Sequence, residues 1–223
     1  MGLGLPQSGG DFNRTPIIKY DARAGRIHRI DRSNESGTWE TNEVEITNGF
    51  QAIFDLQNIE TGWLNFPAGG APDIRTVRIG NPLPERPSDK HKTGFRVLMK
   101  LGKSCGGDLR EMAANAKVSI AAMDALYDAY LAGLKDNPGK LPVVTLATTT
   151  AIKSSGKDAQ GGTQTSTNYQ PVWEIVKWVD RPDELPLGGE VAEGPKTQAE
   201  QPKQDPKPET AKEMASAGDG EEF

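Results

Sequence analysis

Residues 95–103 read FRVLMKLGK, and within them Phe95, Val97, Met99 and Leu101 alternate with Arg96, Leu98 and Lys100. Side chains of an extended chain point to its two faces in turn, so this spacing predicts a strand with one apolar and one partly basic face. A helix would repeat its apolar positions every three or four residues instead. Upstream, TVRIG (76–80) reads as a short strand joined to it by the proline-broken loop NPLPERPSDKHKTG (81–94). Further back, PIIKY and GRIHRID are β-rich runs linked by the turn-like DARAG, and WETNEVEI follows. The stretch GFQAIFDLQNIETGWLNF continues the pattern with a break near Asn58 and Thr61.

Downstream, the segment LREMAANAKVSIAAMDALYDAYLAGLKDNPG (109–139) departs from the strand habit. Ile120, Met123, Tyr127, Tyr130 or Leu131, and Leu134 recur at helical spacing, which predicts a helix over 117–135 stopped by DNPG. LPVVTLATTTAIK and YQPVWEIVKWVD then read as two closing strands. Several short strands with one inserted helix predict a mainly β domain over 1–185. An OB-fold-like Greek-key barrel is the first expectation, with a β-sandwich carrying an extra helix as the alternative. In an ideal strand Trp173 and Trp178 lie on opposite faces, so a bulge would be needed to bring both to one side.

Composition changes after Leu185. Residues 186–223 are rich in Pro, Gly, Ala, Glu, Lys and Gln and almost free of large apolar side chains, which predicts a disordered tail. That tail holds four lysines against nine carboxylates, so it carries the whole net charge of −5 and the body sums to zero. Within the body, residues 14–32 and 75–103 are basic and 35–60 acidic. Such segments either pair with one another or wall an anion-binding groove.

The single cysteine, Cys105, forbids an internal disulfide, and with only His28 and His91 the chain lacks a zinc pattern. Neither GGAPDIRTVRIG nor KSCGGDLREM is a phosphate-binding glycine motif, and no nucleophile–base constellation stands out. The expectation is therefore a non-enzyme without cofactor or metal. No apolar run of about eighteen residues is present, and MGLGLPQSGGDFNRT lacks the features of a secretory signal, which points to the cytoplasm.

Single-stranded nucleic acid is held by a positive groove that tracks phosphates and by rings that stack on bases. Arg26, His28, Arg29, Arg96, Lys100 and Lys177 are the candidates for the first role, and Tyr20, Trp63, Tyr169 and Trp173 for the second. The competing reading places the rings in the core and the cations on a solvated strand face. The chain ends GDGEEF, where Asp219, Glu221, Glu222 and Phe223 combine steering charge with a terminal ring and carboxylate.

The acidic terminus, the strand pattern and the last body strand NYQPVWEIVKWVDRP together resemble the single-stranded DNA-binding proteins of bacteria and, more closely, of tailed bacteriophages. That resemblance implies non-sequence-specific DNA binding by the body in replication, recombination and repair, in the host cytoplasm. It also implies capture of replication or recombination proteins by Asp219, Glu221, Glu222 and Phe223. The helix at 117–135 departs from the bacterial pattern, so a monomer or dimer is expected rather than a tetramer. The alternatives are a non-enzymatic phage assembly or interaction protein with an acidic tail, and an RNA chaperone with the same groove physics.

Overall fold

The computed structural model describes residues 15–34, 37–38, 40–157 and 162–186. These residues form a mainly β unit, 51% strand, with one α-helix. In chain order the strands are β1 (Ile17–Asp21), β2 (Arg26–Ser33), β3 (Glu40–Glu45), β4 (Gln51–Phe54), β5 (Glu60–Asn65), β6 (Asp73–Arg78), β7 (Lys92–Leu101) and β8 (Leu109–Ala114). The helix α1 (Lys117–Gly133) precedes β9 (Leu141–Lys157) and β10 (Thr163–Val179).

Neighbouring strands run in the order β10-β9-β4-β7-β8-β1-β2-β3. All these pairs are antiparallel except β1 with β8. The antiparallel pair β5–β6 lies off this path, joined through β5 to the first half of β7, while β4 joins the second half. The sheet curls strongly into a half-barrel. Its curl brings β1 against β10: the Tyr169 N–H donates to the Ala22 carbonyl at 2.6 Å, and the Tyr20 hydroxyl donates to the Tyr169 carbonyl at 2.8 Å.

The alternation in β7 is realised: Phe95, Val97, Met99 and Leu101 are all buried. They meet Ile18, Ile27, Phe54, Met112 and Val144 from other strands and Met123, Leu126 and Tyr130 from α1. Burying each large side chain contributes about 1.5–3 kcal/mol, so this inward row is a substantial share of the fold's stability. The DARAG turn forms because the Asp21 carboxylate accepts from the N–H groups of Arg23 and Ala24 at 2.8 and 3.2 Å. Gly25 closes it at φ 67°, beside Tyr169.

Two local expectations are corrected, and one condition that the sequence set is met. Leu109–Ala114, read with the helical segment, is strand β8; its Leu, Glu, Met and Ala favour helices, but pairing with β7 on one side and β1 on the other overrides that preference. The last two strands extend well beyond their apolar parts, giving paired runs of 17 residues each. Finally, a register shift between Ile175 and Lys177 inserts one residue into β10. This bulge restores the face parity, so Trp173 and Trp178 both pack against the core.

Candidate nucleic-acid interface

The outer face of β1–β2–β3 carries three of the basic candidates or their neighbours in a ladder of contacts with carboxylates. Lys19 Nζ lies 3.3 Å from Glu43, His28 Nδ1 lies 2.5 Å from the same carboxylate, and Arg26 Nη1 lies 2.7 Å from Glu45. The register sets the ladder on diagonals: Glu45 and Glu43 of β3 stand opposite His28 and Ile30, so Arg26 and His28 each reach the carboxylate facing the residue two positions further along β2. Hydrogen bonds from Lys19 and His28 hold the Glu43 carboxyl below its usual range, and those from Thr47 and Arg26 do the same for Glu45. A depression of about 540 Å³ adjoins Arg26, lined by Ala24, Gly25, Glu45, Thr47 and Asn48.

Arg29 serves the interior. Its Nε donates to Asp31 at 3.0 Å and its Nη1 to the Cys105 carbonyl at 3.2 Å. Asp31 also receives the buried Arg110, which further bonds the Ile30 carbonyl and Asp108. Burial pushes the Asp31 carboxyl up, but the hydrogen bonds and charges of Arg110 and Arg29 outweigh it and hold the group below the carboxylate range.

On β7, Arg96 Nη2 donates to Glu111 at 2.6 Å and Nη1 lies 3.5 Å from Glu60. Lys100 pairs with Glu184. Thus Arg26, His28, Arg29, Arg96 and Lys100 each already face a carboxylate, the pairing alternative that the segregated charges left open. Lys177 differs: it is exposed on β10 with no carboxylate partner among the described residues.

The aromatic candidates divide in the same way. Trp173 lies 5.7 Å from Phe50, 5.8 Å from Phe54 and 6.3 Å from Tyr20 between ring centroids, a cluster of the core. Tyr20 and Tyr169 meet at the β1–β10 seam, and burial, with the charge of Asp21, pushes the Tyr20 phenol up to about 12. Trp63 stands apart, its indole N–H donating to the Pro84 carbonyl at 2.8 Å and its ring covered by the Arg86 guanidinium at 5.4 Å. The structure therefore brings Tyr20, Tyr169, Trp173 and, through Gly25, Arg26 to one seam. Arg96 and Lys100 share the outward side of β7, and Trp63 lies under the 79–91 loop. Asp219, Glu221, Glu222 and Phe223 lie outside the described residues.

One charged pair was not singled out from the sequence. Asp55, 1% exposed, accepts both Nη groups of Arg181 at 2.7 and 2.8 Å and the Asn58 amide at 2.8 Å. Leu185, also buried, follows four residues later. This clasp fixes the chain where the body ends and the acidic segment begins; nothing in DRPDEL alone names its partner. Among the described residues no helix is long and apolar enough to cross a membrane. No protein-family model, curated protein or solved structure matches the chain.

Proposed function

We propose that the chain is a non-sequence-specific single-stranded DNA-binding protein of a phage, without catalytic activity, acting in DNA replication, recombination and repair. Its acidic terminus, through Asp219, Glu221, Glu222 and Phe223, recruits replication or recombination proteins. In this reading β4, β7, β8, β9 and β10 are the five strands of an oligonucleotide-binding barrel. The β5–β6 hairpin is then the connection between its first two strands, and the outer halves of β9 and β10 form the connection between its last two. Barrels of this kind contact oligonucleotides through the face of the second and third strands and through those two connections.

The observation that carries the reading is this arrangement: a curled sheet in which β5, with its hairpin partner β6, and β4 join the same edge of β7, and the long β9–β10 hairpin continues the sheet from β4. The carboxylates already held by Arg26, His28, Arg29, Arg96 and Lys100 favour a second reading, a non-enzymatic interaction protein with an acidic tail, because phosphates would have to displace them there. The two separate on a salt series with fluorescent oligo-dT, using the full chain and one ending at Pro186, whose carbonyl still binds Arg181. Tight, salt-sensitive binding that strengthens on truncation supports the DNA reading and a tail that competes for the groove. Absence of binding by both chains at low salt sinks it and leaves the interaction protein. A parallel oligo-U series distinguishes RNA from DNA preference.

A further inference from the structure

Every aromatic ring of the described residues is buried or half-buried except one. Phe66, 44% exposed, sits just past the end of β5 in the connection to β6. The connection turns tightly. Pro67 restricts Phe66 to extended conformations, and the Gly70 N–H donates to the Pro67 carbonyl at 3.3 Å across a turn with Gly69 at φ 73°. A ring held out of the core on a tight turn gives the fold nothing in return for its exposure, whereas a planar ligand could lie on it.

The neighbouring charges point to the ligand's class. Leu64 of β5 stands opposite Lys92, the first residue of β7, so Phe66 leaves the sheet beside residues 90–92. His91 is buried there, its Nε2 3.1 Å from Asp73 at the start of β6 and its Nδ1 2.8 Å from the Ser88 hydroxyl. That anchor bolts the segment to the hairpin and leaves Lys90 and Lys92, on either side of it, exposed. Neither lysine has a carboxylate partner among the described residues, unlike Lys19, Arg26, Arg96 and Lys100. Nearby carboxylates are committed elsewhere: Asp73 to Arg75 and His91, and Asp89 to Arg86.

We propose that the tip of β5–β6 is a nucleotide clamp in which Phe66 stacks on one base of a single strand while Lys90 and Lys92 hold the adjoining phosphates. The inference rests on the DNA reading and moves its contacts from the paired cations to a site where the ring and the charges are free. Base stacking on an aromatic residue requires no particular base, in keeping with binding without sequence preference.

The test is oligo-dT affinity across a salt series for the wild-type chain, Phe66→Ala, Phe66→Leu, Phe66→Trp and the double variant Lys90→Gln/Lys92→Gln. Phe66→Ala and Phe66→Leu should each weaken binding on the order of tenfold at every salt concentration, as expected for one lost stacked base, with thermal melting unchanged because the ring is exposed. Phe66→Trp should restore the affinity and show fluorescence quenching on binding. The double lysine variant should flatten the slope of log affinity against log salt by about 1.4, at about 0.7 per phosphate contact. Wild-type binding with Phe66→Ala and Phe66→Leu at full affinity overturns the clamp alone. No binding by the wild type at low salt overturns both the clamp and the DNA reading.

Discussion

Replacing Arg181 by alanine should destabilise the fold by about 3–5 kcal/mol, the usual cost of leaving one member of a buried ion pair without its partner. Asp55 is 1% exposed and takes two of its three side-chain hydrogen bonds from Arg181. After truncation only the Asn58 amide remains to offset a carboxylate that is 1% exposed in the intact fold. The other bonds of Arg181, to Gln57 Oε1 at 3.0 Å and the Pro186 carbonyl at 3.3 Å, go to groups with alternative partners in solvent and add little. For a unit of this size each kcal/mol corresponds to roughly 2–4 °C, so the melting temperature should drop by about 10 °C. Urea denaturation followed by tryptophan fluorescence measures the effect, with an unchanged m-value showing that the native fold is the same. Asp55→Leu combined with Arg181→Met should recover most of the loss, because two apolar groups leave no orphaned charge. Lys100→Ala, whose partner Glu184 is largely exposed, should leave the midpoint nearly in place. A loss below 1 kcal/mol for Arg181→Ala, or a double variant less stable than the single one, would refute the clasp as the element that secures the end of the body.

Trp173→Ala should cost about 3–5 kcal/mol, since its ring fills the space between Tyr20, Phe50 and Phe54; a denaturation midpoint equal to wild type would contradict its place in the core. Tyr20→Phe should remove the seam hydrogen bond at a cost of about 1 kcal/mol and delete the component near pH 12 from a phenolate absorbance titration. Because that folded-state value is raised, the Tyr20 contribution is complete below about pH 10 and fades as pH climbs toward 12. At the acid end, burial raises the Asp31 and Asp73 carboxyls, but their cationic partners outweigh it and hold both below the usual value. Their contribution is therefore present above about pH 4 and lost as pH falls through the lowered values, so melting temperature should stay flat down to about pH 5 and decline steeply below 4. Asp31→Asn should shallow that decline.

Much of the strand pattern was legible because it depends on local alternation. The β7 row, the turn at Asp21–Gly25, the break at Asn58 and the helix stop at Asn137–Gly139 all follow from neighbouring residues. What the sequence hid depends on partners distant along the chain. Leu109–Ala114 becomes a strand only because β7 and β1 flank it. The polar outer halves of β9 and β10, with Ser, Thr and Gly throughout, look like a loop until each supplies the other's hydrogen bonds. The site suffered most. Basic residues in β2 and β7 read equally well as a groove or as solvated pairs, and the choice was made by the register that sets Glu43, Glu45, Glu60 and Glu111 beside them. Exposure of Phe66 had no signature in spacing, since a phenylalanine before a Pro-Ala-Gly-Gly turn could as easily cap the core.

The seam between β1 and β10 has a consequence for synthesis. The first strand finds its parallel neighbour only in β8, and Ala22 finds its hydrogen bond only at Tyr169. On the ribosome β1, β2 and β3 can meander together early, yet the seam at Tyr20 and Ala22 stays open until β10 is complete, 134 residues after the end of β3. At 5–20 residues per second that interval is roughly 7 to 30 s. The nascent chain thus carries β1 with its seam hydrogen bonds unmade for longer than most domains need to fold, and keeping that edge from other chains is a task for chaperones rather than for the finished sheet.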